Sequence, residues 1–251
     1  LTARLGLGTV QFGLDYGISN PDGQTPADQV PAILAAAADA GLRVVDTASL
    51  YGESETVLGA SWPPAHDFRV VTKTPRLAGP EAPAHLDAAL ARSLERLRLD
   101  ALYGLMVHQA DDLLPPQGGG VVRRLEAARA EGKVTKIGFS CYTGAQIDAA
   151  LRLFTPDLVQ LPLNVLDQRL LKSGHLERLK ERGVEIHVRS VFLQGLLLME
   201  PAALPPYFDP LRGHLEEYRR SVAAASWTPL QAALGFAAGL EEVDAVIVGV
   251  T

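Results

Sequence analysis

The sequence predicts an α/β fold, a (β/α)8 barrel of the TIM type, and three observations carry the prediction. Eight short apolar runs alternate with segments of helical character along nearly the whole chain. Such alternation implies parallel strands joined by right-handed crossovers. The length of 251 residues suits one barrel, which takes about 250 residues. Three consecutive runs also end in a polar residue, at Asp46, Lys73 and His108, as expected where strands deliver side chains to one mouth. An open doubly wound sheet is the competing architecture; the strand count and the serial polar ends favour closure. No linker breaks the alternation, so one domain over residues 1–251 is expected.

The first predicted strand is Leu5-Gly6-Leu7-Gly8-Thr9-Val10. Its continuation to Gly13 does not match G-x-G-x-x-G, which argues against a dinucleotide-binding open sheet. A loop rich in Gly, Asp, Asn and Pro runs from Gly13 to Thr25, and a helix is predicted from about Pro26 to Ala40, with Gly41 as its left-handed cap. The second strand ends at Asp46 and leads into Thr47-Ala48-Ser49-Leu50-Tyr51-Gly52. Further strands are predicted at 69–73, 103–108, 136–140, 158–163, 184–189 and 245–249. Helices are predicted near 53–60, 84–97, 119–130, 144–154, 174–182 and 229–238. Helix, glycine, strand recurs as a unit at Gly41, Gly132 and Gly183. The run Ala245-Val246-Ile247-Val248 suits a strand covered on both faces.

Two excursions interrupt the rhythm: Gln109–Gly120, and a long segment from Phe192 to about Trp227. Both leave the carboxyl end of a strand, so both are expected as loop over the mouth, where a barrel places its specificity. No helix follows the eighth strand, so the barrel's last helix is missing from the sequence, and a segment continuing past Thr251 is expected.

With 47% hydrophobic and 21% charged residues, the composition is that of an ordinary globular protein. The formal net charge of −6 argues against a dominant nucleic-acid or anionic-membrane surface. Cys141 is the only cysteine, so no intrachain disulfide forms, which fits a reducing compartment. There is no secretory signal pattern and no apolar run of the roughly 20 residues that span a bilayer. A soluble cytoplasmic protein acting on a small molecule is expected, with no nucleic-acid or membrane partner.

Neighbouring strands of a closed barrel lie about 5 Å apart, so Asp46, Tyr51, Lys73 and His108 can share one pocket. A phenol, with a pKa near 10, acts as a general acid near neutrality when a cation stabilises its phenolate. Lys73 supplies that cation, Asp46 holds it charged, and His108 hydrogen-bonds a substrate oxygen. No protein side chain delivers a hydride, so a nicotinamide cofactor is the natural second agent. Each residue alone has a plainer explanation: Asp46 as a helix cap, Tyr51 as loop packing, Lys73 as a solvated strand end. Their joint placement is what favours function. His66, His85, His175 and His214 are expected at the surface, and His187 in the core or behind the site.

The residues Leu5-Gly6-Leu7-Gly8-Thr9, Asp46-Thr47-Ala48 with Tyr51-Gly52 and Ser54-Glu55, Val71-Thr72-Lys73-Thr74 and Val107-His108 resemble the aldo-keto reductase family. The likeness continues through Gly138-Phe139-Ser140 and Val159-Gln160-Leu161-Pro162 and so covers nearly the whole chain. It implies a carbonyl-reducing NAD(P)H-dependent enzyme, with NADP(H) favoured over NAD(H). By the same resemblance Tyr51 is the general acid/base, Lys73 promotes its ionisation, Asp46 supports Lys73 and His108 orients the carbonyl. Ser140 and Gln160 match positions that contact the nicotinamide carboxamide. Gly8, Thr9, Val10, Asp46, Cys141, Arg189, Ser190, Phe192, Gln194 and Gly195 complete the implied cofactor site, and no metal is implied.

Two positions depart from the family pattern. Ser140-Cys141 stands where Ser-Asn is common, which removes one carboxamide hydrogen bond. Arg189 stands where an aromatic residue usually underlies the nicotinamide ring. Its guanidinium either stacks on the reduced ring, disfavouring the cationic oxidised form, or turns to a phosphate or an acidic substrate. The cavity mouth is expected to include Tyr16, Tyr51, Gln109 and Phe192, with Tyr207 or Phe208, a mixture that suits a sugar-like carbonyl compound. Rival functions are a non-catalytic nucleotide-binding barrel acting as sensor or regulatory subunit, and a Schiff-base lyase using a neutral Lys73. A metal hydrolase is disfavoured by the absence of ligand spacing.

Overall fold

Eight parallel strands close into a barrel in sequence order: β1 (Leu5–Gly8), β2 (Val44–Asp46), β3 (Arg69–Lys73), β4 (Leu102–Val107), β5 (Val134–Ser140), β6 (Leu158–Pro162), β7 (Glu185–Arg189) and β8 (Ala245–Gly249). The computed structural model describes residues 4–250. Thr251, and with it the expectation of a segment beyond, lies outside them. Gly8 is in register with Asp46 on one side and Gly249 on the other, so β8 returns to β1 and the sheet has no edge.

Around the barrel run α1 (Val30–Asp39), α2 (Ser54–Ser61), α3 (Ala82–Leu97), α4 (Gly118–Ala130), α5 (Gly144–Leu151), α6 (Arg169–Lys172), α7 (His175–Lys180), α8 (Asp209–Ala224) and α9 (Pro229–Ala238). The recurrent glycines do what their spacing predicts. Gly41, Gly132 and Gly183 all take the left-handed conformation, with φ between 73° and 79°. The residue after each donates its N–H five residues back, Leu42 to Ala37 O, Lys133 to Ala128 O and Val184 to Leu179 O, at 3.0–3.1 Å. That bond closes a helix while turning the chain straight into the next strand.

The structure corrects three element predictions. The first strand stops at Gly8, and Val10–Phe12 form a 3-10 turn that gives Val10 and Gln11 to the cavity lining. Helix α1 starts at Val30, because Gln29 N and Val30 N bond three residues back to Pro26 O and Ala27 O in a preceding turn. The segment 192–227 is not all loop: its second half is the 16-residue helix α8, which buries only Leu215 and Val222.

The barrel interior has three levels. At the amino-terminal end Glu185 accepts from Tyr103 Oη at 2.7 Å and pairs with Lys136 and with His187 Nε2, the last at 2.6 Å. Burial pushes the Glu185 carboxyl up, but these three partners outweigh it and hold it at about 2. Val44, Val71, Met106, Leu158, Ala245 and Ile247 form an apolar middle layer. Above it, at the carboxyl ends of the strands, the interior becomes polar again. Outside the barrel the larger core lies between strands and helices.

Candidate active site

The strand β2 ends at Asp46, and the following loop carries Tyr51 into the cavity. A compact hydroxyl network fixes that loop. Ser54 Oγ donates to Thr9 O at 2.9 Å, and its oxygen also lies 2.9 Å from Thr9 Oγ1 and 3.1 Å from Thr47 Oγ1. Thr9 Oγ1 donates to Asp46 O, and Tyr51 N to Ala48 O, both at 3.0 Å. The buried Glu55 on α2 accepts from Thr72 Oγ1 at 2.6 Å, tying this helix to the residue before Lys73. Tyr51 is therefore held by β1, β2 and β3 together.

Lys73, only 1% exposed, ends β3 beneath Tyr51. Its ammonium donates to Asp46 Oδ1 at 2.6 Å and to Thr47 O at 2.9 Å, and lies 5.1 Å from the Tyr51 ring centroid. The other carboxylate oxygen, Asp46 Oδ2, accepts from Gln160 Nε2 at 2.7 Å. Burial disfavours the Lys73 ammonium, but the Asp46 carboxylate, through its charge and its hydrogen bond, prevails and the pKa goes up. Lys73 is thus the cation of a buried ion pair and no solvated strand end.

His108 follows β4, its ring edge-on to Tyr51 with centroids 5.8 Å apart. Burial first, then the Lys73 ammonium, with Asp46 opposing, hold the imidazole down from its ordinary 6.5 to about 4. It is neutral at physiological pH and can donate one N–H. The unfolded chain takes up this proton near 6.5 and the folded chain only near 4, so the unfolded state binds more protons in between and stability falls as pH drops through that window. Replacing His108 by Gln should flatten this fall, measured as urea unfolding free energies across the same window.

The cavity over these groups holds about 490 Å³, within the usual range of small-molecule sites, roughly 300–1,000 Å³. The structure brings Asp46, Tyr51, His108, Gly8, Thr9, Val10, Ser140, Gln160, Arg189, Ser190, Phe192, Gln194 and Gly195 to its lining. Lys73 sits directly behind it. The Cys141 side chain does not reach it: this thiol is buried in the core, and burial pushes it up to about 12. Tyr16 and Gln109 join the lining, whereas Tyr207, 85% exposed, and Phe208 pack edge-on to each other away from it. His175 also departs from expectation. It is buried, its ring held against Gly144 where a Cβ would come within 2.3 Å. His187 is buried among the polar groups of the barrel floor. Among the described residues, no three His, Cys, Asp or Glu are grouped as metal ligands, and no helix is long and apolar enough to cross a membrane.

The loop after β7 is strained. Ser190, Leu193 and Gln194 have φ of 60°, 49° and 57°, a conformation that costs about 1–3 kcal/mol per non-glycine residue and gathers at functional sites. Gln194 O accepts from Ile18 N at 2.9 Å, locking this loop to the one after β1. Gly195, with φ 92°, passes so close that a Cβ would lie 1.7 Å from Ser19 Oγ. Gly195→Ala is expected to part the two loops and destabilise the fold by about 1–3 kcal/mol. Gly213→Ala, with open space at a helical position, is the control, expected to stabilise by about 0.5–1 kcal/mol. Chemical denaturation checks both.

Among the lining residues that escaped the sequence reading, two bear on the chemistry of the site. Gln11 is buried with Oε1 unpartnered, and Tyr142 carries the Arg189 guanidinium 4.2 Å over its ring. Gln11 stands in what reads as the end of a strand. Tyr142 lies two residues past the end of β5, a spot comparable to that of other lining residues, which is the one signal that marked it.

A closed parallel barrel that gathers a phenol, an ammonium, a carboxylate and an imidazole at the carboxyl ends of its strands defines a (β/α)8 protein with an ionisable cluster at its mouth. The sequence profile described as the Aldo/keto reductase family matches residues 4–251, and the chain belongs to that family. A 6-dehydroglucose reductase of Novosphingobium aromaticivorans is 34% identical over 148 residues, which cover 53% of this chain and 47% of that protein. A D-threo-aldose 1-dehydrogenase of a Pseudomonas species is 32% identical over 220 residues, covering 73% of this chain and 67% of that protein. The chain thus matches about half the length of the first and two thirds of the second. Among solved structures, an aldo-keto reductase from Bacillus halodurans in its holo form superposes with a TM-score of 0.79 at 22% identity, covering 98% of this chain and 82% of that chain. The glycerol dehydrogenase of Gluconobacter oxydans gives 0.77 at 22% identity, with the same coverage. At that identity the two structures speak for the fold alone.

Proposed function

We propose that the chain is a nicotinamide-dependent oxidoreductase that reduces a carbonyl group, with Tyr51 as the proton donor. The observation that carries this reading is the buried Lys73–Asp46 ion pair set 5.1 Å beneath the Tyr51 ring. Hydride addition places negative charge on the carbonyl oxygen. The Tyr51 hydroxyl donates its proton to that oxygen, and the fixed Lys73 cation stabilises the phenolate left behind. Neutral His108 donates a hydrogen bond to the same oxygen and orients it. Asp46 holds Lys73 in an ion pair, which disfavours the amine as a nucleophile and so speaks against the Schiff-base alternative.

The residues fit a nicotinamide. Gln160 spends its Nε2 on Asp46, which leaves Oε1 buried and unpartnered beside Ser140, its neighbour in register. An acceptor next to a hydroxyl suits a carboxamide. When bound, that cofactor supplies the hydride; NADP(H) is the favoured form. The sugar names of the two sequence relatives, with the mixed polar and aromatic lining, support a polyhydroxylated carbonyl substrate. The test is consumption of NADPH or NADH in the presence of small aldehydes and open-chain sugars, by the wild type and by Tyr51→Phe. Aldehyde-dependent oxidation that survives in Tyr51→Phe would refute the role given to the phenol.

A further inference from the structure

The charge balance of the cavity is incomplete at one residue. Of the groups lining it, only Asp46 and Arg189 are charged, and Asp46 already has both oxygens engaged by Lys73 and Gln160. No carboxylate of the described residues pairs with Arg189. Its hydrogen bonds go to Cys141 O at 3.3 Å and Ser190 Oγ at 3.4 Å, with its guanidinium carbon 4.2 Å from the Tyr142 ring centroid. Both bonds are long for N–H donors, and a guanidinium has five N–H groups, so donors remain for the open cavity. The charge reaches the depth of the site: it adds to the lowering of the His108 pKa, opposes the rise that burial imposes on Cys141 and disfavours the Lys73 ammonium. The strand β7 stands across the closed ring from β3. Arg189 thus faces the same cavity that Tyr51 and His108 line.

We propose that Arg189 is an anion anchor, and that the substrate carries a carboxylate or phosphate at the end remote from its carbonyl. The inference rests on the oxidoreductase reading for the nature of the ligand, but the site is tested without turnover. Planar two-point contact with an anionic group is what a guanidinium does better than any other side chain. The Tyr142 ring, with its centroid 4.2 Å from the guanidinium carbon, leaves the N–H groups at the edge of the fork to meet such a group.

The experiment is isothermal titration of the full chain with 4-formylbenzoate and its neutral counterpart 4-formylbenzamide, with NADP⁺ present so that no reduction occurs, and again without it. The wild type is expected to prefer the carboxylate by roughly 10- to 100-fold, the range for hydrogen bonds to a charged group. In Arg189→Met the ratio falls to about one. Arg189→Lys, which keeps the charge but not the fork, falls between and guards against a misfolded Met variant. Equal wild-type affinities, or a preference that persists in Arg189→Met, would overturn the proposal. With NADPH titrated into the same proteins, a loss in Arg189→Met that falls on NADPH and spares the carboxylate preference would also overturn it, because the anion would then be a cofactor phosphate. A carboxylate preference without any NADPH-dependent turnover would uphold the anchor and sink the carbonyl-reduction reading.

Discussion

Tyr51→Phe is expected to lower kcat for carbonyl reduction by about 10²–10⁴-fold, the usual contribution of one general acid. That corresponds to about 3–5 kcal/mol of barrier. The substitution removes one oxygen and leaves the ring in place, 5.1 Å from the Lys73 ammonium and edge-on to His108. The cavity keeps its shape, and the buried ion pair is untouched. A proton given in the transition state is an interaction the ground state lacks, so kcat and kcat/KM should fall together while KM stays near its wild-type value. A rise in KM at constant kcat would instead show that the hydroxyl only binds substrate. Steady-state kinetics with one aldehyde, together with cofactor titration to show that the site is intact, separate the two outcomes.

The sequence exposes some parts of this arrangement and hides others, for a geometric reason. Asp46, Lys73 and His108 stand out because a parallel barrel converts neighbouring strands in sequence into neighbours in space. A polar residue ending each of three consecutive apolar runs is then already a spatial statement. The glycines at 41, 132 and 183 stand out because a left-handed turn between helix and strand is a local requirement. What stays hidden depends on distant partners. Nothing near His175 in the chain tells that Gly144, on another helix, leaves room for its ring. Arg189 lies over the ring of Tyr142, which comes from the loop after β5, two strands away. The helix α8 is amphipathic, with Leu211, Leu215, Tyr218 and Val222 at helical spacing, but it buries only two residues. So thin a stripe is easily lost beside the Pro-rich turns that precede it.

The ion pair behind Tyr51 carries the second large expectation, because stability and catalysis should come apart there. Lys73→Met leaves the Asp46 carboxylate buried with Gln160 as its one remaining side-chain donor. Asp46→Asn leaves the ammonium with the Thr47 carbonyl. Either single change strands a buried charge and is expected to cost about 3–5 kcal/mol of stability. Wild-type Lys73 has its pKa raised in the fold, so its contribution is fully present below the ordinary lysine value and is lost as pH rises through the raised one. In Asp46→Asn burial acts on Lys73 with less opposition, and alkaline unfolding should begin at lower pH. The double variant Asp46→Asn, Lys73→Met removes both charges while nearly conserving volume. Its destabilisation should therefore fall short of the sum of the single losses by at least about 0.5–3 kcal/mol, the usual coupling between contacting residues. Its reductase activity should remain as low as that of Lys73→Met, because balanced charge restores the fold but supplies no cation for the phenolate. Urea unfolding and steady-state kinetics on all four proteins check both halves. Recovery of activity in the double variant would mean that Lys73 serves the barrel and not the chemistry.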